Sequence, residues 1–233
     1  MSATPRAVSL NFDRLEFQLH TAERAAALVR CRDSLAAAAP DSLEAGDMLL
    51  LLTEAALEDG DLTSAARFLV PFSTTPCALP ARVLSAFGRL ALKQGAPAEA
   101  LQSFEEALRL DPRLPQALAG RGETLRTLGR LEEAWLCCSQ ALLLSPQDGP
   151  ALNLLMSLQG ELHRAQEAVI ILRGCLQRAP TAVEARVCLA SMLIITGRID
   201  EAAGELHKVS VLSPEHPVAV QLLGHIGRLR GPP

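Results

Sequence analysis

Residues 93–112 read KQGAPAEALQSFEEALRLDP, and the same pattern returns three times downstream. TLGRLEEAWLCCSQALLLSP ends at Pro146, ELHRAQEAVIILRGCLQRAP at Pro180 and ITGRIDEAAGELHKVSVLSP at Pro214, so the closing prolines stand 34 residues apart. Gly95, Gly129, His163 and Gly197 align upstream, as do Ala100, Ala134, Ala168 and Ala202. A fixed period of this length marks a stacked repeat, in which each unit buries its apolar face against the next.

Each unit reads as two helices. In the first unit Leu84, Phe87, Gly88 and Ala91 fall at i, i+3, i+4 and i+7, one face of a helix. A glycine follows and suits the left-handed backbone that ends it. The second helix carries Ala100, Phe104 and Ala107 on one face, and Asp111-Pro112 stops it because proline cannot continue a helix. Gly88 and Gly122 are small enough to let neighbouring helices approach closely. VSVL at 209–212 reads locally as a strand, but it holds the register of LRL and LLL in earlier units, and the repeat decides for helix.

Composition agrees. Hydrophobic residues make up 49% of the 233-residue chain, aromatics only 3%, and tyrosine is absent, so the core is built mostly of Leu and Ala, which favours packed helices over sheets. The net charge of −4, with both signs interspersed, offers no basic field for a nucleic-acid backbone. The N-terminal MSATPRAVSLNFDRLEF has too short an apolar stretch for a secretory signal, and MLLLL at 48–52 is far short of the roughly 20 residues a membrane span needs. The six cysteines (31, 77, 137, 138, 175 and 188) form no Cys-x-x-Cys, so reduced thiols in a cytoplasmic protein are expected.

Period and pattern over 81–214 resemble the tetratricopeptide repeat family, whose 34-residue helix-turn-helix signature is matched best by Leu84, Phe87-Gly88, Ala100, Phe104, Ala107 and Pro112. The second unit offers Leu118, Gly122, Leu125, Ala134, Ala141 and Pro146; the third keeps Leu152, Ala168, Leu172 and Pro180 but has Met156 for the glycine; the fourth keeps Leu189, Ala190, Ala202, Leu206 and Pro214. The resemblance implies an all-α, right-handed α-solenoid of stacked antiparallel helix pairs. Four repeats are expected at 81–114, 115–148, 149–182 and 183–216. Before them come a divergent helical segment (1–40, with a helix pair over 12–39) and a degenerate pair ending in a Pro-rich loop (41–80), opened by an Asp41–Glu44 capping box. A capping helix and a frayed tail (217–233) close the chain.

The repeat also assigns the conspicuous residues. Cys138 holds the register of Phe104, and Cys175 that of Ala107, so both are expected as core fillers. Cys137, one residue off that face, is expected to be partly exposed. His163 replaces a turn glycine, His207 and His216 are expected to meet solvent, and Trp135 to pack on the next repeat. Phosphate loops, metal-ligand clusters and nucleophile motifs are absent, so no enzyme, cofactor or metal is expected.

In the family the first helices line a groove for peptides or helices of other proteins. The corresponding positions are Arg82, Ser85, Arg89 and Lys93; then Gln116, Ala119, Glu123 and Arg126; then Asn153, Ser157 and Glu161; then Glu184, Val187, Ser191, Ile194 and Ile195. Arg82, Arg89, Lys93 and Arg126 are expected on one inward stripe with Glu123 as its sole acid, and the C-terminal half is apolar. The implied function is a non-enzymatic adaptor or scaffold whose partner is a protein or peptide segment, acidic with an apolar anchor. Nucleic acid and a membrane span are not expected, and self-association is left open. The alternatives are a chaperone for a secretion, pilus or other assembly component, or a targeting module for a separate enzyme. Family members that grip chaperone C-termini use Lys, Asn and Arg where this chain has Ser85, Arg89, Gly120, Pro150 and Leu154, which argues against that role.

Overall fold

The computed structural model describes residues 14–15, 18–19, 21–39, 42–73 and 80–230. Among them the chain is all-α, without a strand. The helices are α1 (Arg24–Ala37), α2 (Leu43–Asp59), α3 (Leu62–Leu69, followed by a 3-10 turn at Val70–Ser73), α4 (Pro80–Lys93), α5 (Pro97–Leu110), α6 (Pro115–Thr127), α7 (Leu131–Leu144), α8 (Gly149–Leu162), α9 (Ala165–Arg178), α10 (Val183–Ile195), α11 (Ile199–Leu212) and α12 (Pro217–Arg230). Residues 209–212 are helical, as the repeat register requires. The chain forms two compact units, residues 1–117 and 118–233.

The punctuation is local chemistry repeated. Asp111, Ser145, Ala179 and Ser213 end α5, α7, α9 and α11 outside helical backbone, at φ −135, −130, −131 and −146. Each precedes a proline, whose ring clashes with helical backbone in the residue before it. Each inner turn closes on a left-handed residue: Gly95, Gly129 and Gly197 at φ 79, 75 and 75, and His163 at φ 57. His163 is the one non-glycine among the described residues to do so.

In the first unit α1 packs on α2, α2 on α3, and α4 lies against α2, α3 and α5. Leu50, Leu51, Leu57 and Leu69 of α2 and α3 form one core with Ala27 and Cys31 of α1. Phe104, fully buried, centres a second core with Ala81, Ala100, Ala107, Leu114 and Ala117. Its ring lies so close to Gly88 that a Cβ there would stand 2.9 Å from Cε1 and Cζ. The cap of α2 is Ser42, whose hydroxyl accepts from Ala45 N at 3.1 Å. That is one residue later than the expected Asp41–Glu44 box; Asp41 lies outside the described residues, as do 74–79 of the Pro-rich loop, 231–233 of the tail and, within 12–39, residues 12–13, 16–17 and 20.

In the second unit Gly122 of α6 nestles against both neighbours, since a Cβ would meet Leu154 Cδ2 of α8 at 2.7 Å and Cys137 Cβ of α7 at 3.3 Å. Leu142, Leu155, Leu158, Leu172 and Leu206 are fully buried. α10 is enclosed by α8, α9, α11 and α12, and α12 covers α10 and α11 through Ala219 and Ile226.

Candidate protein-binding surfaces

In the first unit the candidate residues lie along one stripe of α4, but they differ in exposure. Ser85 is 3% exposed, whereas Phe87, expected in the core, is 37% exposed. The reason is that α4 is packed by α5 on one side and by α2 and α3 on the other, so its buried arc runs through Val83, Ser85, Ala86, Gly88 and Leu90. Arg82 is half-buried and committed to Glu54 of α2, with Nη2 2.6 Å from one carboxylate oxygen and Nε 3.2 Å from the other. Arg89 is half-buried and Lys93 exposed.

In the second unit Arg126 does not offer a free charge either. Its guanidinium donates to Glu123 at 2.7 Å and, one first helix further on, to Glu161 at 3.1 Å. These bonds, that to Glu123 foremost, raise its pKa further above its ordinary value. Glu123 is therefore not the sole acid near the expected stripe: Glu54 and Glu161 neutralise two of its four cations. Asn153 and Ser157 on α8 are exposed, Ser191 and Ile194 on α10 are half-buried, and Ile195 is 57% exposed. α8 and α10 are adjacent, which brings these five residues onto neighbouring elements. Val187, expected beside them, is 5% exposed and belongs to the core. Of the flanking positions, Gln116, Glu161 and Glu184 are exposed and Ala119 is buried.

The cysteines behave as packing groups. Cys138 is fully buried, its thiol donates to Ala151 O at 3.1 Å, and burial pushes its pKa well up. Cys175 is buried likewise, and burial raises its thiol. Cys137 is not partly exposed as expected; it is 2% exposed because α6 closes on it at Gly122, and Arg121 Nη1 approaches its sulfur at 3.5 Å. Trp135 is buried with the Arg164 guanidinium 5.6 Å above its ring, a contact into the next repeat. His207 is exposed, but His216 does not simply meet solvent: its Nε2 lies 3.0 Å from Glu184 Oε1, and its Nδ1 accepts from Ala219 N at 3.3 Å at the start of α12.

Sequence reasoning did not single out the exposed aliphatics of the second helices. Leu136 and Leu143 of α7 and Ile170 of α9 are 61%, 63% and 71% exposed. Leu136 and Ile170 stand 34 residues apart, so the repeat alignment could have found them as one register position.

Residues 85–148 match the family model of the tetratricopeptide repeat. Over that stretch the chain is similar to the tetratricopeptide repeat. Solved structures share the fold at low identity. The tetratricopeptide-repeat protein TTC0263 of Thermus thermophilus aligns with 76% of this chain and 96% of its own at TM-score 0.56 and 21% identity. PilF of Pseudomonas aeruginosa aligns with 81% and 94% at TM-score 0.55 and 18% identity. In the Cut9–Hcn1 hetero-tetramer of the APC/C, one chain aligns with 94% of this chain and 42% of its own at TM-score 0.63 and 15% identity. No curated protein matches the sequence. No described helix of this repeat protein is long and apolar enough to cross a membrane.

Proposed function

We propose that this protein is a non-catalytic scaffold that holds a segment of another protein against the first helices of its second unit. Tetratricopeptide-repeat proteins bind protein or peptide partners, and the observation that supports this site is the exposure of Ile195, beside half-buried Ile194, next to the polar Asn153–Ser157 face of α8. An aliphatic anchor flanked by amide and hydroxyl groups suits an extended or helical segment that inserts one apolar side chain, where most binding energy concentrates. In the first unit Arg89 and Lys93 add attraction for acidic residues, acting on association rate and weakened by salt. The described thiols are free, as a cytoplasmic setting would keep them.

The test is affinity capture with the wild-type chain and with Ile195→Asp. A partner retained by the wild type and released at least about tenfold faster from Ile195→Asp, with unchanged circular dichroism, is expected. Equal retention by both would move the site elsewhere. The second reading, a chaperone for an assembly component, rests on Leu136, Leu143 and Ile170, whose exposed side chains would shield an apolar client. Loss of the partner from Leu136→Asp with Ile170→Asp, but not from Ile195→Asp, would favour it.

A further inference from the structure

In register, the fourth residue of each repeat is Leu84, Leu118, Leu152 and then Arg186. Leu118 and Leu152 are 4% and 2% exposed, and Arg186 occupies the equivalent buried place at 8%. α9, α10 and α11 leave an open pocket of about 290 Å³ beside it. The apolar part of the lining is Leu176, Leu189 and Leu193, and the rim carries the cations Arg173 and Lys208.

Arg186 is under-satisfied. Nη1 donates to Glu205 and Nη2 to the Pro180 carbonyl, but the buried Nε–H has no acceptor among the described residues. The two acids of the lining are already engaged. Glu205 takes Lys208 Nζ at 2.8 Å as well as Arg186. Glu201 takes Arg198 at 2.6 and 2.7 Å and Arg173 at 2.7 Å. Three cations thus face two carboxylates around a leucine-lined space, with one buried donor left over. Buried donors without acceptors are rare in folded proteins because each forfeits its hydration.

We propose that this pocket is a binding site for a carboxylate on a short aliphatic stem, as presented by a glutamate side chain of a partner or by a free aliphatic acid. The stem lies on Leu189 and Leu193, Arg173 and Lys208 draw the charge in, and a turn of the Arg186 guanidinium, giving up its bond to the Pro180 carbonyl, brings its spare Nε–H to the ligand. The site is separate from the Ile195 face, and its test does not depend on that reading.

The full chain, labelled with nitrogen-15 and carbon-13, is titrated with hexanoate, with the peptide Ac-Leu-Glu-Leu-NH2, and with Ac-Leu-Gln-Leu-NH2 as the uncharged control. The readouts are the Arg186 Nε–H signal, assigned by its loss in Arg186→Leu, and the methyl signals of Leu189. The expected result is a saturable shift with hexanoate or with the glutamate peptide and none with the glutamine peptide. Saturation by the peptide alone assigns the carboxylate to a partner, and saturation by hexanoate alone to a free acid. Arg186→Leu restores the residue of the other repeats, so it should fold and should abolish the Leu189 shift. Lys208→Gln, on the exposed rim, should weaken binding about threefold to fivefold. No shift with either acid at millimolar concentration, equal response to the glutamine peptide, or undiminished Leu189 shifts in Arg186→Leu would overturn the proposal.

Discussion

Replacing Gly88 by alanine sets two opposing effects against each other. In a helix interior the change gains about 1 kcal/mol of intrinsic propensity. Here the added methyl carbon would stand 2.9 Å from Phe104 Cε1 and Cζ and 3.0 Å from Cδ1. Relief needs the ring to retreat by about half an ångström, yet Phe104 is fully buried among Ala81, Ala100, Ala107, Leu114 and Ala117. Overpacking of this kind costs about 1–3 kcal/mol. The packing cost should win, leaving Gly88→Ala destabilised by about 1–2 kcal/mol in urea unfolding followed by circular dichroism. The decisive arm is the same change made in Phe104→Leu. That substitution is itself destabilising by about 1–2 kcal/mol, but it removes the ring edge. In that background Gly88→Ala should become stabilising by up to about 1 kcal/mol, because only the propensity gain is left. A sign reversal between backgrounds measures the coupling directly. An equal effect of Gly88→Ala in both would refute the close-approach argument.

Other consequences follow from burial and pairing. Cys188 is half-buried and its thiol is pushed up to about 11 by burial, so its labelling by a maleimide should quicken about tenfold per pH unit between pH 7 and 9, as the thiolate fraction does; mass-spectrometric mapping should find Cys138 unlabelled until the chain unfolds, and early labelling of Cys138 would contradict its place in the core. Arg82→Ala should cost about 1–3 kcal/mol because it removes a cation paired with the half-buried Glu54 carboxylate, whereas Arg82→Leu with Glu54→Leu should recover much of that loss in thermal unfolding. Asp148→Ala removes the side chain that accepts from Ala151 N at 2.8 Å at the start of α8, and should cost about 1 kcal/mol by the same measurement, with Asp148→Asn near neutral.

The sequence made the second helices legible and the first helices less so. The second helices begin at residues 97, 131, 165 and 199, the 34-residue interval read from the prolines, because proline and glycine act through their own backbone wherever they stand. The faces of the first helices were harder, because a first helix is flanked by more than one neighbour. A single apolar stripe therefore under-counts its buried arc, which is how Ser85 and Val187 passed for surface residues. The ion pairs were not legible: Arg82 with Glu54 and Arg126 with Glu161 join residues 28 and 35 positions apart, and several acids stand at comparable distances in the sequence. Cys137 was misjudged for the same reason as Ser85, since it is closed off by a helix from outside its own stripe. Arg186 was visible in the alignment as the one charge in a column of leucines, and its meaning needed the pocket beside it.

The constant interval between helix starts sets what lengths of insertion and deletion the chain can absorb. Removing one residue inside a helix turns everything beyond it by about 100° relative to the rest. In α9 a deletion ahead of Cys175 would carry Leu176 into the buried place of Cys175 and Cys175 into that of Gly174, exchanging core for surface along the remaining turns. Removing or adding 34 residues at equivalent turns, for example between Gly129 and His163, returns each later side chain to the same angular phase. Length variation among descendants of this sequence should therefore fall into two kinds: changes of any size at the turns, and changes inside helices only by whole repeats.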